Sequence, residues 1–212
     1  MTSTPALIET VRVRRGVAPL WYLHLRRLVA SCRALGVPFP AELEVPEGGA
    51  DRVHRLLVSA RGVEVSEREP GDDRPLRVVT SSVPHEPYPH KTTDRNQFDR
   101  AAADARACGA DDALLVTRDG FVAEGTIWCL FWWEGDTLCA PARDLGILPG
   151  VSRARVEELV PVTERRVGPT GLVGRALFLT NAARGVVAVE EFNGRAVPDH
   201  PGTAALRERF WG

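Results

Sequence analysis

The chain of 212 residues carries 27 basic and 28 acidic side chains, a formal net charge of −1. Its arginines are spread along the whole length, so it lacks the basic footprint that a nucleic-acid backbone calls for, and no apolar run reaches the roughly 18 residues of a membrane helix. The opening MTSTPALIETVRVRR has no basic-then-apolar order, so a secretory signal is not read and a cytoplasmic setting is expected. Cys32, Cys108, Cys129 and Cys139 are widely spaced, without a CxxC pair or a nearby histidine cluster. They indicate neither a metal site nor a disulfide scaffold.

LIETVRV alternates as a strand, and LWYLHLRRLVASCRALGV follows with Leu20, Leu23, Leu28, Cys32 and Leu35 near helical spacing before PFP. GADRVHRLLVSA, residues 49–60, predicts a short second helix, and GVEVSE a strand. REPGDDRP is polar and rich in Pro, Gly and Asp, so a domain boundary is expected there. LRVVTSS opens the second part as a strand, and residues 96–108 read as a helix stopped by Gly109. DALLVTRDGFVAEGT and CLFWWEGDTLCAP each predict a hairpin, turning at Asp119-Gly120 and Gly135-Asp136. LPGVSRARVEELV is a Pro-Gly turn entering a helix, and RALFLTNAARGVVAVEEFNGR ends in a hairpin at Asn193-Gly194. Strands mixed with helices over two parts predict an α+β fold rather than a regular βαβ array.

Among the 27 basic residues only Lys91, in VPHEPYPHKTTDRNQF, is a lysine. A coding bias toward arginine could leave one lysine by accident. The chemical reading is that arginine serves as a surface cation, whereas only a lysine amine can lose its proton and form a Schiff base.

In order, HLRRL, HKTTDR, EGTIWCLF, LGILPGVSR and TNAARG resemble the class IV pyridoxal-phosphate enzymes: branched-chain and D-amino-acid aminotransferases and aminodeoxychorismate lyase. The resemblance implies the two-domain fold type IV architecture, like that of D-amino-acid aminotransferase. Residues 1–70 would form a small N-terminal α+β domain, and 71–212 a larger, strand-rich C-terminal domain carrying the Schiff-base lysine. It further implies pyridoxal 5′-phosphate as cofactor, a small-molecule substrate, and a homodimer with the active site between the domains.

Residue by residue, Lys91 falls in the slot of the catalytic lysine and Glu124 in that of the carboxylate at the cofactor's ring nitrogen. Arg27 takes the place of the phosphate-binding arginine, where a planar guanidinium could donate two parallel bonds, while Arg26 beside it would point elsewhere. Val151 and Ser152 match the second phosphate contact, at a helix N-terminus. Three positions depart from the family pattern: Cys129 stands for an asparagine, Ala140 for a threonine, and Ala182 for the threonine that the aminotransferases place on the phosphate, so thinner phosphate binding is expected. The N-terminal part is also shorter by two strands than in most relatives.

The resemblance leaves three functions open: a lyase making 4-aminobenzoate and pyruvate in folate biosynthesis, an amino-acid transaminase, and a non-catalytic descendant. Arg95, four residues after the lysine, and TNAARG favour the lyase branch. His85 and His90 are expected as solvated loop residues, and Trp128, Trp132 and Trp133 as packing between domains or subunits.

Overall fold

The computed structural model describes residues 5–212. Strand β1 (Leu7–Val13) leads into helix α1 (Trp21–Leu35), whose buried face carries Leu23, Leu28 and Cys32. Gly36, at φ 65° in the left-handed region, ends the helix before PFP is reached.

Residues 49–60 do not form the expected helix: β2 (Arg52–Ser59) pairs antiparallel along the full length of β1, and β3 (Gly62–Arg68) along β2. The segment RVHRLLVS fits either period, since Val53, Leu56 and Leu57 also fall near helical spacing. Two neighbouring strands decide it. They bury Val53, Leu56 and Val58 and pair β2 along both of its edges, so tertiary pairing overrides local propensity. One face of this three-stranded sheet packs Leu7, Val11, Leu56 and Val58 against Leu28 and Cys32 of α1.

The remaining strands form one nine-stranded mixed sheet. They are β4 (Leu76–Pro84), β5 (Asp112–Val116), β6 (Val122–Gly125), β7 (Cys129–Glu134), β8 (Thr137–Pro141), β9 (Thr163–Arg165), β10 (Leu177–Asn181), β11 (Gly185–Phe192) and β12 (Arg195–Ala196). Their order is β6-β5-β4-β11-β10-β7-β8-β9, with β12 against β11. The expected hairpins form where turn chemistry demanded them: Asn193 and Gly194 both adopt positive φ, 52° and 74°, which suits a tight two-residue turn. Helix α2 (Asn96–Ala107) covers β4 and β5, burying Phe98, Ala101 and Ala105. Helix α3 (Val151–Leu159) and the unanticipated α4 (Pro201–Arg209) close the other side over Phe131, Phe178 and Val186. Among the described residues no helix is long and apolar enough to cross a membrane.

The two sheets meet at the segment carrying the lone lysine. Ile8 donates its N–H to the Lys91 carbonyl at 2.7 Å, and Thr93 donates to Ala6 at 2.9 Å. The buried Tyr88 hydroxyl closes the loop from the other side, donating to the Thr92 carbonyl (2.7 Å) and accepting from the Thr92 N–H (2.6 Å). The backbone of an otherwise irregular loop is thereby fixed.

Candidate functional site

Lys91, Arg27, Glu124, Val151, Ser152 and Ala182 all line one cavity of about 180 Å³. Burial, reinforced by the Arg27 and Arg95 guanidiniums, lowers the Lys91 amine from 10.5 to about 8. At neutral to mildly alkaline pH a useful fraction is therefore uncharged, the form that can act as nucleophile or base.

At one end lies Glu124, on β6 and 6% exposed. Its Oε1 accepts from Leu148 N–H at 3.0 Å and lies 3.0 Å from His85 Nε2. His85 is thus not a solvated loop residue: it is 3% exposed and inside the fold. His90 likewise has a partner, with Nδ1 3.1 Å from Ser31 Oγ. The loop after Glu124 is pinned by Asp112, whose Oδ1 accepts from Thr126 N–H and Ala113 N–H, both at 2.8 Å, and whose Oδ2 accepts from Thr126 Oγ1 at 2.6 Å. Burial raises Asp112 from 3.8 to about 6, against the pull of these donors.

At the other end, α3 begins at Gly150 with no side-chain cap and no acidic residue in its first turn. Its free N–H groups and positive dipole end face the cavity beside Ser152, a ready anion cup. The Ser152 hydroxyl meets Thr180 Oγ1 at 3.1 Å and Cys129 Sγ at 3.7 Å. Thr180 places a buried hydroxyl two residues before Ala182, where the sequence reading had only the alanine. Cys129 takes up close space: a Cβ on Gly150 would fall 2.3 Å from its Sγ, so only glycine fits there.

Arg27 reaches this end, but its fork is differently used than expected. Nε and Nη2 donate to Glu9 Oε1 (3.0 Å) and Oε2 (2.6 Å), while Nη1 turns toward the Pro149 carbonyl at 3.5 Å. Two parallel bonds therefore go to Glu9, and an anion would meet the Nη1 side. His24 Nδ1 also lies 2.6 Å from Glu9 Oε2. Burial opposes ionisation of Glu9, yet Arg27 and His24 bring it from 4.5 down to about 2. Arg26, next along α1, is exposed.

The mouth is cationic. Arg55 and Arg68 enter from β2 and β3, on one face because Val53 pairs with Arg68 two residues from Arg55. Neither forms an ion pair among the described residues. Arg95 donates to the Thr126 carbonyl at 2.8 Å and lies over Phe98. Trp128 lines the cavity as well, with Arg184 5.0 Å over its ring. Trp132 is core, and Trp133 stacks on His200. Sequence reasoning missed Glu9, Arg55, Arg68 and Thr180 and misjudged His85: Arg55 lay in a segment read as a helix, Arg68 in the expected boundary, and the burial of His85 had no local signal. Among the described residues no group of three or more His, Cys, Asp or Glu could hold a metal ion.

A buried amine brought to about 8, an anion cup at a helix N-terminus and a buried carboxylate opposite define a cavity fitted to a phosphorylated aldehyde coenzyme with a basic ring nitrogen. Comparison with known proteins agrees. The model for the amino-transferase class IV family matches residues 47–192. A probable branched-chain-amino-acid aminotransferase of Thermotoga maritima is 35% identical over 97% of this chain and 85% of its own length. The aminodeoxychorismate lyase of Bacillus subtilis is 43% identical over 47 residues, 22% of this chain and 16% of its own. An aminotransferase from Brucella abortus, solved with the cofactor PLP, superposes with a TM-score of 0.82 at 20% identity, over 97% of this chain and 88% of its own. The chain belongs to the class IV aminotransferase family and shares its fold type IV architecture. Its cofactor is pyridoxal 5′-phosphate.

Proposed function

We propose that the protein is a lyase acting on 4-amino-4-deoxychorismate, with Lys91 as its catalytic residue and Arg27, Glu124, Val151, Ser152, Thr180 and the Ala182 backbone holding the coenzyme, in a homodimer whose protomers divide near residue 70. The observation that carries this reading is the mouth: Arg55, Arg68 and Arg95 line it. Three guanidiniums suit a substrate with two carboxylates, and they suit poorly a branched aliphatic side chain, which would need that wall to be apolar.

The bound coenzyme supplies the sink for electrons left at the carbon that bears the substrate's amine. Lys91 Nζ is the base for the proton on that ring carbon. Loss of the proton and of the enolpyruvyl ether from the neighbouring carbon aromatises the ring; the amine stays on it as 4-aminobenzoate, and the side chain leaves as pyruvate. Both products together account for every atom of the substrate, and no amino acceptor is consumed.

A second reading, amino-acid transamination, is favoured by the 35% identity to the Thermotoga protein over nearly the whole chain. One experiment separates them. Given aminodeoxychorismate and no 2-oxo acid, the protein is expected to release 4-aminobenzoate and pyruvate in equal amounts over many turnovers. No 4-aminobenzoate, with conversion of the coenzyme to its amine form on adding an amino acid, would establish the transaminase instead.

A further inference from the structure

We infer that His85 is a positioning residue: it donates its Nε2–H to Glu124 Oε1 and so leaves Oε2 as the one acceptor turned to the coenzyme's ring nitrogen. This rests on the reading of Glu124 as the ring-nitrogen partner.

The argument starts from which atoms have partners. Glu124 Oε1 has two neighbours at 3.0 Å, the Leu148 N–H and His85 Nε2. An ionised carboxylate only accepts, so Nε2 carries a proton. The other ring nitrogen, Nδ1, is buried with no hydrogen-bond partner. Were His85 doubly protonated, Nδ1 would be a buried N–H with nothing to receive it, on a cation inside the fold. The neutral Nε2–H form leaves only a bare acceptor there, the lesser cost. His85 itself cannot swing away. Its backbone N–H is held by the Val116 carbonyl at 2.8 Å, and the ring is enclosed. Two donors from two different loops, residues 85 and 148, therefore lock one carboxylate oxygen and with it the rotation of the whole group. A carboxylate so fixed presents its second oxygen without further reorganisation, which is how a fixed acceptor favours the protonated ring.

The test uses two amides of different reach. A glutamine amide nitrogen falls near the place of Nε2, and an asparagine's near Nδ1. In the coenzyme-loaded protein, His85→Asn is expected to lower kcat on the order of 10- to 100-fold, the scale of a hydrogen bond to a charged group, with KM within about threefold. His85→Gln should recover most of that loss. Without coenzyme, a ¹⁵N–¹H spectrum of the protein should show His85 protonated at Nε2 and bare at Nδ1, and that resonance should move in Glu124→Gln. Equal losses in the two His85 variants, or a proton found on Nδ1, would overturn the proposal. If Glu124→Gln keeps the parental kcat, the reading of Glu124 itself fails. If Glu124→Gln is inactive while His85→Asn is unchanged, only the role of His85 fails.

Discussion

The two ends of the cavity are built on opposite electrostatic plans. At the helix end, a buried Glu9–Arg27 ion pair, with His24 hydrogen-bonded to the same carboxylate, sits beside backbone amides and two hydroxyls. At the ring end, a single carboxylate is held by neutral donors, with Asp112 fixing the following loop through Thr126. The first plan pairs one buried anion with one buried cation: burial lowers His24 from its usual value, so the imidazole stays neutral, and Glu9 orients Arg27 beside the helix N–H groups. The second keeps charge sparse around Glu124, which on the proposed reading pairs with a proton on the coenzyme. Lys91 stands between, lowered first by burial and then by Arg27 of the helix end and Arg95 of the mouth, with Glu9 and Glu124 pulling the other way.

The largest break comes from Arg27→Ala, which strips the positive partner from a buried Glu9. It is expected to destabilise the fold by about 3–5 kcal/mol and to weaken coenzyme binding by roughly 1.5–3 kcal/mol. Arg26→Ala, on the exposed side of α1, should stay within about 0.5 kcal/mol on both measures. Thermal unfolding and titration of the coenzyme-free protein read both, and equal effects at the two arginines would remove Arg27 from the site.

The two ends should also answer pH in opposite directions. Glu9, at about 2 in the fold against 4.5 unfolded, contributes about 3 kcal/mol of stability that is fully present above 4.5 and is lost as pH falls toward 2. Asp112, at about 6 against 3.8, binds its proton more tightly when folded, so stability falls as pH rises from about 4 to about 6. Asp112→Asn should abolish that decline and add about 2–3 kcal/mol at pH 7. The amide oxygen can still accept from Thr126 and Ala113, while its nitrogen donates to the Thr126 hydroxyl. Denaturant melts across pH 3 to 8 would show it, and a variant less stable than the parent at pH 7 would contradict it.

The smallest effect sharpens the link between the ends. Capture of pyridoxal 5′-phosphate by the coenzyme-free protein should accelerate as pH rises through about 8, where the Lys91 amine loses its proton. Arg27→Ala should move that inflection upward, because one of the cations depressing the amine is gone. A downward or absent shift would separate Lys91 from the charged end.

Much of this site was legible in the sequence because it rests on local devices. The turn residues Asp119-Gly120 and Asn193-Gly194 placed the hairpins, Pro149-Gly150 announced the α3 N-terminus, and a lone lysine among arginines marked the amine buried in the cavity. What stayed hidden was non-local. The parallel pairing of β4 with β5 and β11 has no local signature, and the period of VHRLLVS fits helix or strand until β1 and β3 flank it. The acceptor for Arg27, the second hydroxyl in the cup and the burial of His85 each depend on chain segments far away in sequence. Motif spacing does not report such contacts.

The most direct test of the account is to trap the bond itself. After loading with pyridoxal 5′-phosphate, the purified protein is reduced with borohydride, digested, and the modified peptide located by mass spectrometry, in parallel with Lys91→Arg. The account predicts one reduced phosphopyridoxyl group on the peptide containing Lys91, with no adduct and no turnover in the variant although it remains folded. An adduct on the N-terminal amine, or turnover at the parental rate in Lys91→Arg, would contradict it.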